Sequence, residues 1–431
     1  MWQAFKNAFK IPELRDRIIF TFLALIVFRM GIYIPVPGLN LEAWGEIFRR
    51  IAETAGVAGI LSFYDVFTGG ALSQFSVFTM SVTPYITASI ILQLLASVMP
   101  SLKEMLREGE EGRKKFAKYT RRLTLLIGGF QAFFVSFSLA RSNPDMVAPG
   151  VNVLQFTVLS TMSMLAGTMF LLWLGERITE KGIGNGISIL IFAGIVARYP
   201  SYIRQAYLGG LNLLEWIFLI AVALITIFGI ILVQQAERRI TIQYARRVTG
   251  RRVYGGASTY LPIKVNQGGV IPIIFASAIV SIPSAIASIT NSGTLQNLFK
   301  AGGFLYLLVY GLLVFFFTYF YSVVIFDPKE ISENIQKYGG YIPGLRPGRS
   351  TEQYLHRVLN RVTFIGAVFL VVIALLPYLV QGAIRVNVWI GGTSALIAVG
   401  VALDIIQQME THMVMRHYEG FIKKGRIRGR R

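Results

Sequence analysis

The sequence predicts an all-α polytopic membrane protein with ten transmembrane helices, and three observations carry that prediction. Apolar stretches of spanning length recur along the whole chain, basic residues gather on alternate connecting loops, and hydrophobic residues make up 54% of the composition against 15% charged. A chain of 431 residues could instead fold as roughly two or three soluble domains, but so apolar a surface would not stay in water.

The stretches fall at 18–34, 71–98, 122–141, 152–173, 183–203, 213–234, 269–289, 304–326, 357–379 and 387–407. Each is near the ~20 residues that a helix needs to cross hydrocarbon. Backbone amides find no water there, so the segments must be helices or a closed barrel, and unbroken apolarity without two-residue alternation selects helices. Of the 42 Lys and Arg, 33 lie on one set of alternating segments: 1–17, 99–122, 174–182, 235–268, 327–357 and 408–431. The positive-inside rule places that set, and with it both termini, in the cytoplasm; an even number of spans agrees.

Five spans precede a boundary near residue 205 and five follow it. This predicts an N-terminal half over 18–204 and a C-terminal half over 205–407, two pseudo-symmetric five-helix halves related as an inverted repeat. At residues 1–17, Trp2, Phe5 and Phe9 recur at helical spacing with Lys6 and Lys10 between them, which predicts an interfacial amphipathic helix. Charges from Lys6 to Arg17 precede the first apolar run and no small-residue cleavage site follows it, so this segment is expected to be retained. The basic tail at 408–431, ending in Lys423, Lys424, Arg426, Arg428, Arg430 and Arg431, is expected to be solvated and irregular from Tyr418 onward. Pro84 and Pro272 each fall inside the second span of a half, where proline removes a helix hydrogen bond and invites a kink.

Residues 56–72, between the first two spans, mix Ile60, Leu61, Phe63, Val66 and Phe67 with Gly59, Ser62, Asp65 and the pair Gly69–Gly70. The segment is too short and too broken to span. Glycine-hinged apolar segments at membrane depth need protein or a water-filled cavity around them; an ordinary extracytoplasmic helix fits the composition equally well. Arg29 lies near the outer end of the first span and Asp404 near the inner end of the last, where each can snorkel or pair.

Two cytoplasmic loops stand out. In 235–268, apolar and polar residues alternate on both sides of a turn at Gly250, with Arg246, Arg247, Arg251 and Arg252 flanking it and Glu237 as the single acid. That pattern predicts a short basic hairpin, suited to an acidic or nucleic-acid partner, although topology bias alone also places basic residues there. In 327–357, two Pro-Gly pairs force turns around Arg346 and present it, with Arg349, at a restricted tip.

No enzyme constellation can be assembled. There is no phosphate-binding Gly-rich loop with its Lys and no Ser-His-Asp grouping, and His356, His412 and His417 lack metal-ligand spacing. The glycines at 182–186 follow no β-strand, so a nucleotide reading fails its own context. With no cysteine, thiolate chemistry is excluded. Neither catalysis, a cofactor nor a metal is expected.

Several strings together resemble the bacterial SecY family, the pore subunit of the Sec protein translocase: Pro84-Tyr85-Ile86-Thr87-Ala88-Ser89, Glu108-Gly109-Glu110, Gly182-Ile183-Gly184-Asn185-Gly186, Gly250-Arg251-Arg252-Val253-Tyr254, Pro343-Gly344-Leu345-Arg346-Pro347-Gly348 and Gly391-Gly392-Thr393-Ser394. The resemblance runs over essentially the whole chain. It implies an hourglass channel for unfolded secretory polypeptides, narrowed by an aliphatic ring of Val82, Ile86, Ile187, Ile191, Ile274 and Ile397. Val82 stands where isoleucine is common in the family. It also implies a plug near 56–72 that includes Gly59, Ile60, Leu61, Phe63, Asp65 and Phe67, and a lateral gate whose two faces are the second and seventh spans, with Pro84 and Pro272, joined by the third and eighth, with Thr87 and Gln131 as polar gate-lining residues. Through that gate signal sequences and membrane helices would leave sideways.

The partners implied are the small membrane subunits SecE and SecG, the SecA motor ATPase, the ribosome through rRNA contacts, unfolded preproteins with their signal peptides, and anionic lipids. The motor and ribosome would dock on Arg246, Arg247, Arg251, Arg252, Arg346 and Arg349, and the location implied is the bacterial plasma membrane. Independently of the resemblance, Val82/Ile86 and Ile187/Ile191 are i, i+4 pairs that share one helix face. A small-solute transporter would share the span count but needs a midplane ionisable or unwound ion site, and none is evident. A nucleic-acid-recruiting membrane scaffold would need only the basic loops.

Overall fold

The computed structural model describes residues 11–53, 65–244, 247–249, 252–254, 258–289, 302–383 and 392–424. Ten long helices are found among them: α1 (Pro12–Gly31), α3 (Thr83–Val98), α5 (Glu110–Ser142), α6 (Val153–Lys181), α7 (Gly186–Leu208), α8 (Leu213–Gln235), α9 (Ile271–Ile289), α10 (Phe304–Ile325), α12 (Arg349–Ala383) and α13 (Thr393–Lys424). Shorter elements lie between them: α2 (Leu41–Glu53), α4 (Pro100–Arg107), α11 (Pro328–Lys337) and the strands β1 (Glu237–Tyr244), β2 (Arg247–Thr249), β3 (Arg252–Tyr254), β4 (Ser258–Lys264) and β5 (Gly340–Tyr341). The chain divides into two compact units, Met1–Ile203 with Val401–Arg431, and Arg204–Gly400.

In the first unit the tightest helix pair is α5 with α6. The buried face of α5 is Gly112 and then Thr120, Thr124, Gly128, Ala132, Ser136 and Ala140, the last six a row of small residues four apart. Hydrocarbon offers no hydrophobic drive for helix association, so close backbone approach along such a row supplies it through packing. The hydroxyls of Thr120 and Thr124 donate to the carbonyls of Phe116 and Thr120 at 3.0 and 2.7 Å, which removes unpaired polar groups from that face. Trp44 of α2 packs on Phe75, in one buried cluster with Met80, Phe156 and Met164.

The second unit is built on α10, packed by α9 and α12. Ile273, Val280, Tyr306, Tyr310, Val314, Leu370 and Ile373 form its core. Phe275 stacks on Phe317 at 5.3 Å, and Ser322 Oγ and Thr363 Oγ1 share a buried hydrogen bond of 2.8 Å between α10 and α12. Beyond the membrane helices, β1 pairs with β4 antiparallel, Ile240 opposite Leu261, and β5 adds to the other edge of β1, Gln243 opposite Tyr341. The β2–β3 ladder pairs Thr249 with Arg252.

Three sequence expectations are corrected. The span expected at 71–98 is helical only from Thr83; residues 68–82 form successive turns, with the left-handed backbone at Gly69, Gly70, Phe75 and Ser81 that prevents helix propagation. Pro84 and Pro272 are not kinks: each is the second residue of its helix, α3 and α9, where the missing N–H has no intrahelical partner to lose. The interior prolines are Pro200, Pro283 and Pro377. The tail does not become irregular at Tyr418, since α13 continues to Lys424 with no proline to stop it. The interfacial helix expected at 1–17 lies outside the described residues up to Lys10, and Pro12–Arg17 already belong to α1.

Candidate pore ring, plug and docking loops

The six ring candidates all lie at or within two turns of a helix start. Val82 caps α3 and is 2% exposed; the Ile86 N–H donates to its carbonyl at 3.1 Å, so both belong to one opening turn. On α7 the start is fixed by Asn185, whose Oδ1 accepts the N–H groups of Ile187 and Ser188 at 3.1 and 3.2 Å. The turn before it is glycine-rich for steric reasons: a Cβ on Gly186 would overlap the Gly175 carbonyl of α6, and one on Gly175 would stand 2.9 Å from Ile187 Cγ1. The glycines thus seat Ile187 in a notch of α6. In the second unit, the Ile274 N–H donates to the Val270 carbonyl at 3.2 Å, and Ile397 is 5% exposed. Ile86, Ile187, Ile191 and Ile274 are half-buried, and none of the six is fully exposed.

Of the plug candidates, Gly59, Ile60, Leu61 and Phe63 lie outside the described residues. Asp65 and Phe67 occupy a short helical turn, Asp65 buried and Phe67 half-buried. The Asp65 carboxylate pairs with Arg198 of α7 and accepts the Ser73 N–H at 2.9 Å. Arg29 donates to the Gly69 carbonyl and to the Tyr33 hydroxyl, both at 2.9 Å. Sequence reasoning placed Arg29 among groups that pair near an interface but missed Arg198 altogether, since nothing in α7's pattern announces a carboxylate so far back along the chain.

Among the gate candidates, Pro84 is buried where α3 meets α5, and a Cβ on Gly128 would lie 3.3 Å from Pro84 Cβ. The Thr87 hydroxyl donates to the Thr83 carbonyl at 3.1 Å, satisfied within its own helix. Gln131 is half-buried on α5, and Pro272 is buried at the start of α9 against Gly268.

The described docking candidates lie on the β2–β3 ladder and on the loop after β5, up to the start of α12. Arg247 and Arg252 lie on β2 and β3, while Arg246 and Arg251 are outside the described residues. The lone acid of the hairpin, Glu237, is engaged by Arg239 at 2.6 Å, a hydrogen bond that holds the Arg239 guanidinium above its usual pKa; Arg239 also stands 5.0 Å over the Tyr260 ring. Arg346 and Arg349 are exposed. Around them the backbone is pinned: the Leu345 N–H donates to Ile342 O at 3.0 Å, Thr351 Oγ1 to Arg346 O at 3.0 Å, and Ser332 Oγ to Gly348 O at 2.8 Å. Gly344 and Gly348 take φ of 83° and 97°, which only glycine adopts readily. Ile342 anchors the loop among Ile240, Ile263, Leu355 and Leu359.

Among the described residues no group of His, Asp and Glu side chains could hold a metal ion. The family model described as SecY matches residues 76–406. The chain belongs to the SecY family. It is 98% identical over 431 residues to the protein translocase subunit SecY of Thermotoga maritima, covering 100% of both chains. It is 42% identical over 437 residues to that of Aquifex aeolicus, covering 98% of this chain and 100% of the relative.

SecY-type architecture is also seen in solved structures. The fold superposes with a TM-score of 0.62 and 20% identity on one described as a protein conducting channel, over 95% of this chain and 96% of the other. It matches with a TM-score of 0.60, at 20% identity and the same coverage, a SecY protein whose plug domain is described as stabilising the closed state of the translocation channel and maintaining a membrane seal. A third match, with a TM-score of 0.59 and 19% identity over 95% of this chain and 96% of the other, is Sec61 in the canine ribosome-channel complex from the endoplasmic reticulum. The SecY fold makes this chain a polytopic membrane protein of ten transmembrane helices; among the described residues six of them, α5, α6, α7, α8, α10 and α12, carry windows apolar enough to cross a bilayer by length and composition alone.

Proposed function

We propose that the chain is the pore-forming subunit of a protein translocase, a conduit and not an enzyme, which passes unfolded secretory polypeptides across the membrane and releases signal sequences and membrane helices sideways. Its likeness along its entire length to a translocase subunit, at 98% identity, is the observation that carries this reading. The chemistry agrees with it. Aliphatic side chains offer a translocating chain no specific hydrogen bonds, so they tolerate any sequence, and a greasy constriction excludes ions by dewetting. In this reading Val82, Ile86, Ile187, Ile191, Ile274 and Ile397 form the constriction, 56–72 is the plug, and α3 and α9, with Pro84, Thr87 and Pro272, form the two faces of the lateral gate, with Gln131 of the adjoining α5 lining it. The halves at 18–204 and 205–407 are its two moving bodies.

The charge distribution supports a bacterial plasma membrane location with both termini cytoplasmic, which puts the strands β1 to β5 and the Arg346 tip on the cytoplasmic side. There we propose docking of the SecA motor ATPase and of the ribosome, the latter through rRNA phosphates on Arg246, Arg247, Arg251, Arg252, Arg346 and Arg349. SecE and SecG are proposed as the small membrane subunits beside the chain, and anionic lipids as neighbours of its basic inner ends. Reconstitution tests the core of this reading. In vesicles that contain the chain, SecE and SecG, a secretory precursor supplied with SecA and ATP should become protected from external protease. Absence of protection, together with uptake of a small solute, would replace the channel by a transporter.

A further inference from the structure

The segment that leads from the proposed plug into α3 is held by polar contacts that converge on one side chain of α7. Asp65 is 6% exposed, and its carboxylate pairs with the Arg198 guanidinium. Arg198 Nη2 also donates to Ser73 Oγ at 3.1 Å, while Ser73 Oγ donates to the Gly70 carbonyl at 2.8 Å and the Ser73 N–H to Asp65 Oδ1 at 2.9 Å. One guanidinium therefore ties both ends of the Asp65-to-Ser73 turn. Beside it the backbones touch: a Cβ on Gly69 would lie 2.8 Å from Gly194 Cα, and one on Gly70 would lie 3.0 Å from Arg198 Cζ. By contrast, the pairs Arg121–Glu176 and Arg177–Glu180 lie on the surface, with every side chain at least 34% exposed.

We propose that Arg198 is a positioning residue for the plug, and that its ion pair with Asp65 is a latch that seats the plug's stem on α7 while the channel is idle. The proposal rests on the reading of 56–72 as the plug. The helix supplies the register. Ile187, Ile191, Gly194 and Arg198 succeed one another by four, three and four residues and so share one face of α7, which carries two proposed ring members at its inner end and the latch at its outer end. The physics supplies the release. A carboxylate and a guanidinium attract strongly when water is excluded and weakly once hydrated. Apolar adhesion would let the stem slide, whereas a directional pair holds one position until a passing chain brings water to it.

Resting ion conductance of the reconstituted complex, with no precursor present, reads the latch, and the thermal midpoint of the same preparations reads folding. Asp65→Asn and Arg198→Gln should each raise resting conductance by about tenfold or more, since each breaks a buried pair. The double substitution should leak no more than either single, and the exchanged pair Asp65→Arg with Arg198→Asp should reseal. Arg198→Gln added to a chain lacking residues 56–72 should change nothing further, because Asp65 and the plug it seats are then gone and the remaining bond to Ser73 has nothing to hold in the pore. Unchanged conductance in both singles, or additive leak in the double, refutes the latch. A further rise in the chain lacking 56–72 assigns Arg198 a general structural role and refutes it too. If removal of 56–72 itself leaves conductance unchanged, the plug reading falls and the latch with it, whereas a leak from that removal with silent single substitutions sinks the latch alone.

Discussion

Gly45 and Gly186 are the same residue in opposite settings, and the difference shows why a glycine-rich string is ambiguous until its neighbours are known. Gly45 lies on the exposed side of α2 with nothing near where a Cβ would stand, whereas at Gly186 that atom would overlap the Gly175 carbonyl. Gly45→Ala should stabilise by about 0.5–1 kcal/mol through helix propensity. Gly186→Ala should destabilise by about 1–3 kcal/mol through overpacking against backbone. Thermal midpoints of the detergent-solubilised chain should move in opposite directions, and equal shifts would contradict the packing described. The ring candidates make a second residue-level case. Their type alone reads as packing, and only the family strings single them out, because aliphatic side chains carry no chemical signature. Ile86→Ser and Ile191→Ser should raise resting ion conductance several-fold, as polar groups wet the constriction; conductance equal to that of the unaltered chain would remove both from the ring. Arg198 was illegible for a different reason: a pair formed across distant sequence leaves no periodicity to read.

Helices were legible in proportion to how far local physics decides them. Continuous apolarity marked α5 through α8, but it could not show that 68–82 is non-helical, because Ala71, Leu72, Phe75 and Phe78 are as buried and apolar as a span while the backbone turns. Proline misled in the same way: composition places Pro84 and Pro272 within apolar runs, and only the helix boundaries reveal that both open a helix. The basic hairpin was legible because alternation around Gly250 is a two-residue period, yet the two-residue strand β5 gives no such signal. That short pairing joins the 235–268 and 327–357 loops and ties down the backbone that leads to the Arg346 tip. Arg346→Glu should abolish motor-driven precursor protection while assembly persists. Thr351→Val, which keeps shape but removes the hydroxyl bond to the Arg346 carbonyl, should lower the initial rate by about fivefold, the equivalent of about 1 kcal/mol for one net hydrogen bond. A wild-type rate in Arg346→Glu would remove the tip from the docking surface, and a wild-type rate in Thr351→Val would show that its backbone needs no such pin.

For the molecule as a whole, the proposed orientation rests on the sequence alone, because it is argued from how many Lys and Arg each side carries and not from any contact. In the proposed orientation the 33 basic residues on one set of segments stay on the cytoplasmic side, and this would fix every other span once the count is ten. The absence of cysteine allows the count and the orientation to be tested together. Asp145 and Tyr207 are exposed on connections assigned outside, and Lys118 and Tyr338 are exposed on segments assigned inside. A membrane-impermeant maleimide applied to intact spheroplasts should label Asp145→Cys and Tyr207→Cys at once, and Lys118→Cys and Tyr338→Cys only after lysis. Uniform reversal would overturn the orientation. Labelling of Lys118→Cys or Tyr338→Cys alone from outside would mean an even number of crossings between that residue and the outside marker before or after it, which would overturn the span count; for Tyr338→Cys it would also move the Arg346 loop to the other side.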